Sequence, residues 1–491
     1  MPLLRRARAV AVSAALLATG CLVVTPNAVA APDTTVDVIG GCIEPGPTLR
    51  YIVVFAEGMP ESLATSEITN SCGAATVYYP QIAVAVATSA DPTFQRRIGP
   101  NRAYSAQSEG LSKRAGPTVR KKDETEASRT VPATETVPTA DRRDEQWDMD
   151  LIHATEAHKV STGSRNVVVG VLDSGVDPAH PDLANALDPS ISAGCLTGMP
   201  DTNPSAWAPT TSSHGTHVAG TIAAADDGRG TTGVAPGVRI ASVKVVDNDG
   251  FIYPEYAVCG FMWAAVNGMT VTNNSYFVDP WAFTCQNDPG QSVVYEAVSR
   301  AVAFASSRGV LNVAAAGNAG VDLTRPGRDA RSPSNAAADE VRPRAVGNNC
   351  LVLPAQLRGV VAVSSIGSDE VKSGYSSYGL GSVDVTAPGG DRKQSQGCVL
   401  STVPTGYDHS CGTSMAAPHV SGVVALLAST HPAASPSQLT RMLNSQAETL
   451  PCPADYDLNG TGVQDAFCTG YSEYNSFYGH GLVNALSAVT R

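Results

Sequence analysis

Missing from this sequence is any excess of positive charge: 33 Lys and Arg stand against 45 Asp and Glu, a formal net charge of −12. That balance argues against a nucleic-acid-binding surface and by itself names no other partner. Charged residues are scarce altogether, 16% beside 43% hydrophobic, a composition that excludes a disordered chain. Long apolar runs are lacking too: beyond Ala9 to Val24 nothing reads as a membrane span, and no internal repeat appears. There is no C-x-x-C pair, and His214 and His217 come with neither an H-E-x-x-H pattern nor an evident third ligand. A cysteine-held metal and a zinc-hydrolase site are thereby disfavoured.

What is present begins with "MPLLRRARAVAVSAALLATGCLVVTPNAVAAPD". A basic start, an apolar stretch and the small-residue run Ala28 to Ala30 describe a secretory signal, residues 1–30, with the mature chain outside the cell. A less favoured reading takes "LATGC" as a lipid-attachment site at Cys21. Of eleven cysteines, Cys21 leaves with the signal and ten remain, an even number that suggests disulfides in a secreted protein. Spacing does not fix connectivity, but the local pairs Cys42–Cys72, Cys398–Cys411 and Cys452–Cys468 are expected, followed by Cys285–Cys350.

The rest divides by texture. Residues 31–98 carry strand-like runs, "YIVVF" and "IAVAVAT", and read as a small α+β unit. Residues 99–144 are rich in charge, Pro, Thr and Ala and read as a linker. From residue 145 to 491 β-rich runs ending at Asp173, Asp247, Asn318 and Gly367 alternate with helix-like stretches such as that from Ser292. Alternation of that kind predicts an α/β domain with a mainly parallel sheet, whose reactive groups gather where strands end and helices begin.

Four residues occupy such places. Asp173 closes an apolar run in "GVLDSGVD", and His214 opens a small-residue helix in "SSHGTHVAGT". Asn318 follows the buried run of "AAAGN". Ser414 stands at the start of an apolar helix in "HSCGTSMAAPHV". Singly each has an ordinary reading: a turn carboxylate, a surface imidazole, a turn amide, a helix cap. Together they offer an acid, a base, an amide donor and a hydroxyl beside a helix N-terminus, which favours negative charge on a reacting atom.

The motifs "VVVGVLDSGVDPAHPDL", "HGTHVAGT", "GVAP", "AAAGN" and "GTSMAAPHVSGVVALL" resemble those of the subtilisin-like serine peptidases over nearly all of residues 146 to 491. The resemblance implies a three-layer α/β catalytic domain preceded by an α+β propeptide. It implies a secreted endopeptidase made as a zymogen, with Ser414 as nucleophile, His214 as base, Asp173 orienting it and Asn318 in the oxyanion hole. The alternative is a catalytically silent, protease-like binding protein. Ser275, Tyr276, Phe277 and Gly317 fall on the implied substrate-binding walls, and Phe277 replaces a usual Gly. A surface insert spans roughly Val321 to Gly347; it and "NNSYFVDPW" resemble actinobacterial enzymes grouped near lantibiotic leader peptidases, which would make the enzyme a narrow processing one. No cofactor is implied for catalysis. A structural calcium ion is a candidate, on Asp182 and Asp227 with carbonyls of Ala225, Arg229 and Thr231, whereas "DYDLNGTG" from Asp455 reads better as a turn. The implied partners are a polypeptide substrate and the chain's own propeptide, cut near Arg142 or Arg143, and a monomer is expected.

Overall fold

The computed structural model describes residues 41–43, 46–99, 101–112, 140–336, 341–404 and 406–491. The expected signal segment with Cys21, and residues 113–139 of the expected linker, lie outside that set. Among the described residues no helix is long and apolar enough to cross a membrane.

The amino-terminal elements are β1 (Leu49–Val54), α1 (Glu61–Asn70), β2 (Ala74–Tyr79), β3 (Val84–Ser89), α2 (Phe94–Ile98), β4 (Ala103–Tyr104) and α3 (Ala106–Ser112). The strands form an antiparallel sheet in the order β2-β3-β1-β4. Successive side chains of a strand point to opposite faces. Tyr51, Val53 and Phe55 accordingly meet Ala64, Ile68 and Phe94 in one core, while Ile52, Val54 and Val84 join a different cluster with residues of the helices Pro254–Val266 and Gln291–Ser307. Cys42–Cys72 ties the leading arm to the end of α1. Ordered structure runs beyond the expected boundary at Ile98, because Tyr104 pairs with Ile52 and buries its ring.

The larger part comprises α4 (Trp147–Leu151), α5 (Ala154–His158), β5 (Val168–Asp173), β6 (Ala193–Gly194), α6 (Pro204–Trp207), α7 (His214–Ala223) and β7 (Arg239–Lys244). There follow α8 (Pro254–Val266), β8 (Val271–Asn274), β9 (Thr284–Cys285), α9 (Gln291–Ser307) and β10 (Leu311–Ala315). Next come β11 (Gly327–Asp329), β12 (Arg344–Val346), β13 (Cys350–Leu351), β14 (Val360–Ile366), β15 (Val385–Pro388), β16 (Val399–Val403), β17 (Gly406–Ser410) and α10 (Thr413–Thr430). Seven strands pair in the order β15-β14-β10-β8-β5-β7-β6, every pairing parallel. All residues of β5, β8, β10 and β14 are buried, as a sheet covered on both faces requires, even though three of the four residues of β8 are polar. Residues of α7 and α10 pack on one face and those of α8 and α9 on the other, giving the three layers expected. The sheet ends sooner than the apolar runs: β7 stops at Lys244 and β10 at Ala315, and the residues after them turn toward the site.

The four expected disulfides are present, together with Cys195–Cys259, which joins the residue after β6 to α8. The stretch expected to hold the processing cut is pinned. Gly230 N–H donates to Ala140 O at 2.9 Å and Arg142 N–H to Gly230 O at 2.8 Å. Arg143 bridges Asp141 at 2.7 Å and Asp226 at 2.9 Å.

Candidate active site

Asp173, at the end of β5, is 1% exposed and accepts from the Ser174 N–H at 2.7 Å. His214 Nδ1 lies 2.8 Å from its Oδ1 and 3.0 Å from its Oδ2. The approach is set by α7: Gly215 N–H donates to Ser174 Oγ at 2.9 Å. A Cβ added at Gly215 would sit 2.5 Å from the Gly175 carbonyl oxygen, so glycine is what lets the helix come this near the strand end. With Nδ1–H given to the carboxylate, Nε2 is the nitrogen left to act as a base. His217 has a different role. It is fully buried, its Nε2 lies 3.2 Å from Val399 O and 3.1 Å from Asp408 O, and burial lowers its pKa to about 3. It is a neutral core residue.

Ser414 is the second residue of α10. The helix is capped by the backbone of Gly412 with no side-chain bond, so Ser414 does not serve as the cap its position suggests. Its Oγ donates to Ser275 O at 3.1 Å, and Ser275 Oγ donates to Ser414 O at 2.8 Å. Just upstream, Cys398–Cys411 closes the antiparallel β16–β17 hairpin that leads into the helix. Asn318 is oriented from the same turn: its Oδ1 accepts from Thr413 N–H at 2.9 Å and Thr413 Oγ1 at 2.8 Å, leaving the amide Nδ2 as the free donor. Thr413 Oγ1 also accepts from Gly317 N–H at 3.1 Å.

These groups line one cleft of about 390 Å³. Ser275, Tyr276 and Phe277 form one wall and Ala315 and Gly317 the other. Tyr276 OH donates to Asn274 Oδ1 at 3.0 Å; burial, with the charge of Asp173 adding to it, holds this phenol well above its usual pKa. Phe277 is half-buried, an aromatic wall in the cleft. Thr413, Val352 and Arg331 also take part, and sequence reasoning missed all three. Thr413 was legible in principle, lying inside a quoted motif; Arg331 carried no signal beyond its place in the insert. A separate cavity of about 870 Å³ around His431, Met442 and His480 contains none of these residues.

The expected calcium ligands lie together beside the arm that precedes α4. Asp182 Oδ2 accepts from Tyr407 OH at 2.9 Å and Thr231 N–H at 3.3 Å, and Asp227 Oδ1 accepts from Arg229 N–H at 3.1 Å. Burial, with Asp227 contributing, raises the Asp182 pKa. No main-chain N–H among the described residues bonds to the carbonyls of Ala225, Arg229 or Thr231. This oxygen-only donor set fits a hard cation. No cluster of three or more His, Cys, Asp or Glu suited to a metal occurs among the described residues, so such a site would rely on those carbonyls. In "DYDLNGTG" the Asp457 carboxylate is taken up by Thr461 and Gly462 N–H groups, both at 2.7 Å, which is turn chemistry.

The chain is similar to known proteins in both sequence and structure. Subtilisin NAT of Bacillus subtilis subsp. natto is 32% identical over 343 residues, 70% of each chain. In structure, the epidermin leader peptide processing serine protease of Staphylococcus aureus superposes with a TM-score of 0.64 at 21% identity, covering 90% of this chain and 98% of that one. A lanthipeptide protease superposes with a TM-score of 0.54 at 26% identity, over 73% of this chain and 99% of that one. Residues 164–481 match the model of the subtilase family. With that match covering well over half its length, the chain belongs to the subtilase family and is a serine endopeptidase.

Proposed function

We propose that the enzyme is a secreted processing peptidase, made with an N-terminal domain that restrains it, and that it cuts its substrate through an acyl-enzyme on Ser414. The observation that carries this reading is the pairing of His214 Nδ1 with Asp173 at 2.8 and 3.0 Å in the cleft that Ser414 and Asn318 also line. Ser414 Oγ attacks the scissile carbonyl carbon and its proton passes to His214 Nε2, while Asp173 steadies the imidazolium. The carbonyl oxygen, now negative, takes hydrogen bonds from Asn318 Nδ2 and the Ser414 N–H. Collapse breaks the C–N bond, His214 returns the proton to the departing amine, and a water activated by the same imidazole releases the acid.

Secretion is supported by the signal-like first 30 residues and by five disulfides, which persist in oxidising compartments. The restraint is supported by the seating of the N-terminal sheet on α8 and α9. A narrow, precursor-processing role is supported by the aromatic wall at Phe277 and by the leader-peptide and lanthipeptide proteases among the structural relatives. A fluorophosphonate should label the processed enzyme once, and Ser414→Ala should abolish the label; labelling indifferent to that change would favour a silent, binding protein. Calcium belongs to this reading as a structural ion held by Asp182, Asp227 and the carbonyls of Ala225, Arg229 and Thr231. Chelation should lower the melting temperature of the wild type and leave that of Asp227→Ala unmoved.

A further inference from the structure

The insert after β10 does more than decorate the surface. Its two ends pair as the antiparallel ladder β11–β12, with Asp329 opposite Arg344. Asp329 is 2% exposed; its Oδ2 accepts from Arg344 Nη2 at 3.0 Å and its Oδ1 from Arg331 N–H at 3.0 Å. The following residues are fastened in turn. Ser332 Oγ accepts from Ala282 N–H at 2.8 Å, Ser334 N–H donates to Pro280 O at 2.8 Å, and Ser334 Oγ donates to Asp279 Oδ1 at 2.5 Å. Asn335 Nδ2 donates to Ala106 O at 2.8 Å. A loop tied at so many points is a rigid platform, although it carries little regular structure.

From that platform the Arg331 side chain reaches back to the cleft. Its Nη2 donates to the main-chain oxygen of Asn318 at 3.1 Å, and it lines the cleft beside Ala330, Ser334 and Val352. The other ionisable groups lining the cleft are Asp173, Tyr276 and His214. Asp173 is engaged by His214 and the Ser174 N–H, and Tyr276 is kept neutral. No carboxylate of the cleft is therefore paired with the guanidinium, and that one bond uses a single N–H of the five it offers. A planar, permanently charged fork of donors matches a carboxylate better than any other peptide side chain.

We propose that Arg331 is a specificity-determining residue that selects an acidic side chain, Glu or Asp, on the substrate residue supplying the scissile carbonyl. This inference rests on the peptidase reading above. Arg331 is anchored on the carbonyl of the residue whose amide would hold the oxyanion, so a carboxylate in its reach belongs to the residue being cut. Val352 and Phe277 line the same cleft. The ion pair forms in a partly exposed cleft, so its contribution is moderate and screened by salt.

The test uses processed enzyme and peptides differing only at that residue: Glu, Gln, Leu or Lys. The wild type should give a kcat/KM for Glu about fivefold above that for Gln, with Lys poorest, and the gap should shrink as salt rises. Arg331→Gln, which can keep the bond to Asn318 without the charge, should erase the Glu-over-Gln preference, whereas Arg331→Lys should keep part of it. Arg331→Glu should place Lys above Glu. A wild type that cuts Gln or Lys peptides as well as Glu, or a Glu preference that survives Arg331→Gln, would overturn the assignment. Each variant is also titrated with the fluorophosphonate: labelling with altered preference bears on Arg331 alone, while a wild type that takes no label fails the peptidase reading itself.

Discussion

The two largest sheets among the described residues cover their faces differently. The seven-stranded parallel sheet is roofed on one side by α7 and α10 and on the other by α8 and α9, all its own neighbours in the catalytic domain. The four-stranded N-terminal sheet has α1 and α2 on one face; Ile52, Val54 and Val84 on the other, joined by Ala106 of α3, complete their burial against α8 and α9. Polar contacts follow the same seam. Arg300 Nη1 donates to Phe55 O at 2.9 Å and Ile82 O at 3.0 Å, Tyr79 OH to Gly198 O at 2.8 Å, and Trp281 Nε1 to Tyr104 OH at 2.9 Å. A small domain that buries one whole sheet face on its neighbour draws much of its stability from docking. Catalysis and docking of the N-terminal sheet should therefore respond to different substitutions.

The largest effect is expected inside the self-covered domain. Asn318→Leu removes the amide donor beside Ser414 while keeping a side chain of similar size, and should lower kcat about 10²–10³-fold, the range seen when this type of donor is lost from a subtilisin. KM should change little, because the donor matters most when the oxyanion exists. The N-terminal domain should dock as before, so steady-state kinetics and domain dissociation, measured on one preparation, separate the two halves of the comparison. A fall in docking affinity equal to the fall in kcat would collapse the distinction.

How much of this was legible in the sequence divides along the same line. Asp173, His214, Asn318 and Ser414 stand where strands end or helices begin, and local motifs carry such positions. The parallel sheet was legible from runs such as those of β5, β10 and β14, whereas β8, Val-Thr-Asn-Asn, carries no such apolar run. What depends on remote chain segments was not. Nothing near Cys195 points to Cys259, and nothing near Arg331 indicates that the insert folds back onto Asn318. The linker was drawn to begin at residue 99 because its composition is polar, but Tyr104 is buried by strand pairing and by its contact with Trp281. The apolar run of β1 declared a strand; which of its faces met another domain was not written in it.

A middle-sized effect is expected at the seam. In a Ser414→Ala background, which prevents self-cutting, Ile52→Asp should cost about 3 kcal/mol or more by burying an unpaired carboxylate against α8 and α9. Docking should weaken and the N-terminal elements should become sensitive to added protease, with the catalytic domain's own melting unchanged. Val53→Asp, one residue on, points into the domain's private core and should unfold that domain. Indistinguishable behaviour of the two variants in calorimetry and limited proteolysis would mean the sheet has no independent inner core.

The smallest effect is a pH dependence built into the same seam. Glu255, in the first turn of α8, is 2% exposed; burial pushes its carboxyl up to about 7, against a partial lowering by Arg50, whose Nη1 is 3.9 Å away. Asp247 nearby is raised to about 6, chiefly by burial, and Tyr253 and Tyr256 pack around the pair as neutral phenols. Once the N-terminal domain leaves, Glu255 regains water and its ordinary pKa. A carboxyl whose pKa is higher when docked favours docking in its protonated form. That contribution is complete below about pH 4.5 and is lost as pH rises through about 7. Dissociation measured across that window should grow easier with rising pH. Glu255→Gln keeps the shape and removes the titration, so its profile should lie flat where the wild type slopes, apart from what Asp247 adds between pH 4 and 6. An unchanged slope in Glu255→Gln would move the pH sensitivity to Asp247, leaving the comparison of the two sheets intact but placing its titrating group in the loop after β7 rather than on α8.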